Sequence, residues 1–315
     1  MGAGHSGFLE ILGLIAWVVL VSLVALSSRI ILNDWPLFLC LGIALVVASG
    51  MWARKQPCIT QYKRPLDRHL VVVSLALLAS VAVYATAFMS GWLLEKLSVA
   101  RYEAARSAFM EDPQGFPFIK QFAREHYGVH IVLADATSGW NENTVALPHS
   151  VIAGMRTAPG YCELHINVVN VRDRFAGPDP QSRIKGVLVH ELAHCLDKSR
   201  DLPTFASDGV GTRSLAPSDA AKVTTLEEYL ASEARLPTQR WREAVADIFA
   251  VGFWRMTELH AAQLVADLRD KRTSGDAAHT TSCWIDQAVA APMPTSMQTL
   301  LSWADAIRAA APCTP

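Results

Sequence analysis

Three stretches of this chain carry no charged residue and are long enough to cross a bilayer: Ile11 to Ser28, Trp35 to Ala53, and Leu70 to Leu94. A span needs roughly 20 mainly apolar residues, because the hydrocarbon core is about 30 Å thick and a helix rises about 1.5 Å per residue. Lipid offers the backbone no hydrogen-bond partner, so such segments are expected as helices rather than strands. Trp35, Trp52 and Trp92 fall near the ends of their spans, where indole rings favour the interface. A single apolar run reads equally well as a buried core helix. Three in succession, in a chain of mean hydropathy +0.22, point to a membrane anchor over residues 1–94. No basic segment precedes the first run, so a cleaved signal peptide is not expected.

Charge sets an expected orientation. Arg54, Lys55, Lys63, Arg64 and Arg68 lie between the second and third runs, against a lone Arg29 between the first and second. The positive-inside rule then places that basic loop in the cytoplasm and the C-terminal part outside, although Lys96, Arg101 and Arg106 dilute the asymmetry. Of six cysteines, Cys40 is in a run and Cys58 in the basic loop. The other four, Cys162, Cys195, Cys283 and Cys313, form an even set suited to an oxidising compartment. Three pairings are open, Cys162–Cys195 with Cys283–Cys313 being one; four free thiols in a cytoplasmic domain is the alternative. The formal net charge of -1 gives no sign of nucleic-acid binding, which needs a clustered basic surface.

Residues 95–315 read as one α+β domain. Helical spacing runs from Ser98 to Met110 and from Phe118 to His126, separated by the breaker Asp112-Pro113-Gln114-Gly115. Val129 to Leu133 is a short β-branched run, and Cys162 to Val171 alternates as a half-buried strand does. Asp179-Pro180 supplies a cap and first residue for a helix through about Lys198. Ser199 to about Asp219 is rich in Gly, Pro, Ser and Thr, and a loop of that length is expected to be a functional lid or disordered. From Val223 onward the pattern is mostly helical. A helix pair, a small sheet and a helical half make the class α+β.

The helix ending near Lys198 contains His190-Glu191-Leu192-Ala193-His194. Residues four apart share a helical face, so both imidazoles can converge on one cation, while Glu191 is offset and can reach a water bound there. Zinc suits imidazole and carboxylate donors, and a catalytic site keeps one of its four positions open. About 50 residues downstream, Glu243 and Asp247 share a face of a second helix, kept slim by Ala244, Ala246 and Ala250. Glu243 is the candidate third ligand. Asp247 is the candidate acceptor for the free N–H of a ligating histidine, which fixes the ring and raises its basicity. Acidic residues on a helix usually face solvent. Here their neighbours are apolar, and an unpaired buried carboxylate is costly.

His190-Glu191-x-x-His194 followed by Glu243-x-x-x-Asp247 resembles the gluzincin group of zinc metallopeptidases, some of which are tethered to bacterial or organellar membranes. The likeness covers these two helices, about a tenth of the chain. It implies zinc on His190, His194 and Glu243, with Asp247 partnering His190 and Glu191 as catalytic base. It also implies an edge strand that holds extended peptide, for which Cys162–Val171 is the candidate. Such enzymes commonly add a downstream His, Tyr or Arg as an oxyanion donor; His279 is the leading candidate, ahead of Tyr229 and His260. Asp197, one turn past His194, is either a rival ligand or, as expected, an outer-sphere or helix-end residue. Cys195 is a potential soft ligand whose position favours a disulfide or the core.

The expected protein is therefore an integral membrane zinc endopeptidase of a bacterial inner membrane, acting on polypeptide on the extracytoplasmic side. Two alternatives remain open: a membrane scaffold stapled by structural zinc, and an amidase acting on cell-wall peptides.

Overall fold

The computed structural model describes residues 89, 92, 93, 96, 97, 99–134, 153–158, 160–174, 179–201, 211–274 and 276–313. Apart from Met89, Trp92 and Leu93, which are helical and exposed, the three apolar runs lie outside the described residues. Among the described residues, no helix is long and apolar enough to cross a membrane. The chain divides into two units, Met1–Ala100 and Arg101–Pro315, and the second is α+β.

Tyr102, Ala105 and Phe109 recur at helical spacing over 101–111 and pack on the core. After the Asp112–Gly115 break comes α1, Phe116–Tyr127, which buries Phe116, Ile119, Phe122 and Ala123 on one stripe. Gly128 ends it at φ 67°, a left-handed cap that glycine adopts without steric cost. Among the described residues the sheet has three strands: β1 (His130–Leu133), β2 (Ala153–Ala158) and β3 (Tyr161–Ile166), in the order β1-β3-β2. β3 runs parallel to β1, with Ile131 beside Cys162, and antiparallel to β2, with Met155 beside Leu164.

This sheet corrects two expectations. The strand stops at Ile166 instead of continuing to Val171, because the Asn167 side chain accepts the Asn170 N–H at 3.0 Å and starts helix α2, Val168–Arg174. β3 is also the central strand, paired on both sides, so it cannot take up a further strand. Among the described residues, β2 has a partner on one side only, and it packs beside the helix bearing His190.

That helix is α3, Pro180–Ser199. Pro180 opens it, but Asp179 makes no side-chain cap and instead takes φ 55°. The proline that follows disfavours right-handed helical space for Asp179. Beyond α3 come α4 (Pro217–Ala220), α5 (Leu226–Glu233) and α6 (Leu236–Thr257). Then follow α7 (Ala261–Thr273), α8 (Ser282–Ala290) and α9 (Leu300–Ala310). Within the expected lid, residues 202–210 lie outside the described residues. Its two ends are pinned where the Asp201 carboxylate accepts the backbone N–H of Arg213 at 2.8 Å and of Ser214 at 3.0 Å.

α6 is the centre of the domain, buried on nearly every face from Trp241 to Trp254. A helix enclosed on all sides needs small residues where neighbours cross. Ala244, Ala246 and Ala250 are buried on it, and Gly186 of α3 lies against the Trp254 ring, whose Nε1–H donates to the Ser182 carbonyl at 2.8 Å. Among the described residues, two disulfides complete the frame. Cys162–Cys195 ties β3 to α3, and Cys283–Cys313 ties α8 to the segment after α9.

Candidate metal centre

The crossing of α3 and α6 brings His190, His194 and Glu243 into a cluster able to hold a metal ion. The Nε2 atoms of the two histidines are 3.1 Å apart. The Glu243 carboxylate straddles them, Oε2 3.4 Å from His190 Nε2 and Oε1 3.2 Å from His194 Nε2. Side-chain exposure is only 12%, 15% and 17% for the three, so water does little to screen them. Glu243 Oε2 is buried without a hydrogen-bond partner, which is costly for a carboxylate oxygen unless a cation faces it.

One layer out, Asp247 is fully buried, with Oδ1 3.0 Å from His190 Nδ1. A carboxylate there keeps the ring proton on Nδ1 and leaves the Nε2 lone pair facing the cluster. Asp247 is itself held by the Arg272 guanidinium, at 2.8 and 2.9 Å, and by the Thr281 hydroxyl. Arg272 also approaches Glu243 Oε2 at 3.5 Å.

The electrostatics follow from burial and pairing. Burial alone opposes charge on His190, but Asp247 and Glu243 push its pKa up to about 10 when no cation shares the site. Burial likewise opposes ionisation of Glu243, yet the two histidines hold its carboxyl well below the usual range. Asp247, also disfavoured by burial, is held at about 2 by Arg272 and His190. Burial would depress the Arg272 guanidinium, but Asp247, Glu243 and Glu191 keep it above its ordinary value.

Glu191 lies on α3 between the two histidines in sequence and is buried. His279 reaches the same place from a 3-10 turn, Ala277–His279, anchored by Arg240 Nε donating to the Ala277 carbonyl at 3.0 Å. Its Nδ1 sits 2.8 Å from Asp276 Oδ1 and its Nε2 3.5 Å from Glu243 Oε2, with 40% of the side chain exposed.

The other candidates lie elsewhere. Asp197 is turned away into an arginine cluster, engaged by Arg200 and by Arg308 at 3.1 and 3.2 Å. Tyr229 is fully buried, its hydroxyl 3.0 Å from Ser214 Oγ and 3.3 Å from the Asp201 carboxylate. His260 is exposed at the start of α7, and Cys195 is consumed in its disulfide.

Arg272 and Asp276 escaped the sequence reading. A basic residue in the last turn of α7 looks like an ordinary partner for the helix dipole, and only the packing of α7 on α6 turns Arg272 towards Asp247. For Asp276 a local signal existed: its carboxylate caps the turn by accepting the N–H of Ala278 and of His279. No family model, no curated protein and no solved structure matches this chain.

Proposed function

We propose that this chain is a membrane-anchored zinc endopeptidase. The observation that carries the reading is the spacing of the donor atoms. A tetrahedral zinc with bonds of about 2.0–2.1 Å sets neighbouring donors about 3.3–3.4 Å apart. The two Nε2 atoms are 3.1 Å apart, and the Glu243 carboxylate meets them through different oxygens at 3.4 and 3.2 Å, so that one donor atom from each residue lies within 4.8 Å of the others. Two imidazoles and one carboxylate, without cysteine, match catalytic zinc sites; structural sites are usually closed and rich in thiolate.

A zinc ion held there supplies a Lewis acid and lowers the pKa of water towards about 7. Glu191 takes the proton of the attacking water and delivers it to the departing amine, the work of a general base then acid. His279 Nε2 is turned to the same side as Glu243. Its Nε2 is placed to donate to the developing oxyanion, with the ring oriented by Asp276 at Nδ1. The edge of β2, unpaired among the described residues, offers backbone groups beside α3 to an extended polypeptide. The three apolar runs serve as anchor. Two disulfides suit an extracytoplasmic site, on the periplasmic face of a bacterial inner membrane.

Glu191→Gln tests the reading. The variant is expected to keep zinc at wild-type affinity and lose at least about 100-fold in cleavage of an unfolded protein. Normal cleavage rejects the base, and retained biological activity without cleavage favours a zinc scaffold. Wild-type hydrolysis of cell-wall peptide fragments, with unfolded protein left intact, moves the reading to an amidase.

A further inference from the structure

Arg308 is a buried arginine on α9, far in sequence from both metal-bearing helices, and it touches both of them. Its guanidinium donates to the Asp197 carboxylate at 3.1 and 3.2 Å, on α3 one turn beyond His194. It also donates to the backbone carbonyl of Trp241 at 3.2 Å, on α6 within a turn of Glu243, and lies 4.5 Å over the Trp241 ring. Its side chain is 3% exposed and that of Asp197 is 0% exposed. Asp305 holds the outer side of the fork at 2.6 Å and bonds Arg200 as well.

The mounting of this arginine is rigid. α9 buries Leu300, Ala304 and Arg308 along one stripe. Leu300 and Trp303 fill the notch left by Gly252 on α6, where an added Cβ would lie 2.4 Å from the leucine. The Cys283–Cys313 bond secures the chain after α9.

We propose that Arg308 is a positioning residue for the metal centre, cross-linking α3 and α6 so that His194 and Glu243 keep the separation a single ion requires. A buried ion pair is poor value as pure stabiliser, since well-packed apolar residues do as well or better. What apolar packing cannot do is hold a carboxylate and a backbone carbonyl on different helices in one fixed plane. A guanidinium fork does this, and a lysine ammonium, with its single compact charge, does not.

The inference rests on the metal reading above but not on hydrolysis, so its test reads metal binding. Zinc affinity of the full-length chain in detergent is measured by competition with a chromophoric chelator, and the visible spectrum of the cobalt(II) form reports ligand geometry. Arg308→Met is expected to weaken zinc binding about 10- to 100-fold and to shift the cobalt bands. Arg308→Lys should fall between it and wild type. Asp219→Asn disturbs a buried carboxylate that bonds Thr238 and the exposed Arg235 and makes no contact with the three metal-site residues. It should lower thermal stability while leaving zinc affinity within about twofold. Wild-type zinc affinity and cobalt spectrum in Arg308→Met overturn the proposal. Should that variant fail to fold, Asp305→Asn, at a partly exposed position, takes its place. A severalfold loss of affinity supports the inference, and an unchanged constant overturns it. A wild-type chain that takes up no zinc removes the metal centre itself, a different result from a variant that binds normally.

Discussion

Asp247 Oδ1 stands 3.0 Å from His190 Nδ1, and the same carboxylate is gripped from behind by Arg272. The ring is thus fixed by a partner that is itself fixed, from a helix other than its own. A carboxylate with 0% exposure that serves two cations has two separable duties: it orients a histidine, and it neutralises an arginine.

Substitutions at Asp247 should separate those duties. Asp247→Asn keeps an acceptor for Nδ1–H but loses the charge, and a loss of about 10- to 100-fold in zinc affinity is expected. Both Asp247→Asn and Asp247→Ala leave the largely buried Arg272 without this counter-charge, so a cost of about 3–5 kcal/mol in folding stability relative to wild type should appear in chemical denaturation. Wild-type stability in both variants would remove the second duty.

These contacts mark how far the sequence could be read. The i,i+4 spacings of His190 with His194 and of Glu243 with Asp247 are local, and each pair lies on one helical face whatever the rest of the chain does. The α+β class was legible for the same reason, from periodicity within segments. Strand order was not. Alternation shows that Leu164 and Ile166 face one way, but whether β3 lies at an edge depends on which strands pair with it. Arg272 was hidden likewise, its approach to Asp247 spanning 25 residues and an inter-helix turn. The cysteine pairing needed the fold too, since Cys162 and Cys195 meet only once β3 packs near α3.

The titration of His190 predicts how metal uptake depends on pH. Its pKa of about 10 without a cation lies above the ordinary 6.5, so the ring carries a proton across the neutral range that an arriving ion must displace. Zinc affinity should therefore rise about tenfold per pH unit between roughly pH 7 and 9 from this proton alone. The sign for the apo protein is opposite. A raised folded pKa gives stability fully present below about 6.5 and lost as pH climbs through about 10. Stabilisation by zinc should widen with pH, read as the gap between holo and apo melting temperatures. A gap that is flat or narrows would contradict the proton count.

The close approach of α3 to α6 predicts a steric effect outside the site. A Cβ built on Gly186 lies 1.9 Å from Trp254 Cζ2, and the ring is held by its bond to Ser182. Gly186→Ala should cost about 1–3 kcal/mol through overpacking, despite the better helix propensity of alanine. Pairing it with Trp254→Leu should recover part of that loss, and a double-mutant cycle in urea measures the coupling. Strict additivity would mean the two side chains do not compete for the same space.

His279 offers the sharpest separation of binding from chemistry. It lies 3.5 Å from Glu243 on a turn of its own, so truncation leaves α3 and α6 undisturbed. His279→Ala should retain zinc and the folded state while kcat falls about 100- to 1000-fold, the loss expected when one oxyanion donor is removed. Asp276→Asn acts through the ring and should cost less, because asparagine still offers an oxygen to orient the imidazole at Nδ1. Steady-state rates on an unfolded protein over pH 6–9 distinguish the two. If both variants cleave at the wild-type rate, His279 is a surface histidine and the donor must be sought in Arg272, whose guanidinium lies 3.5 Å from Glu243 Oε2.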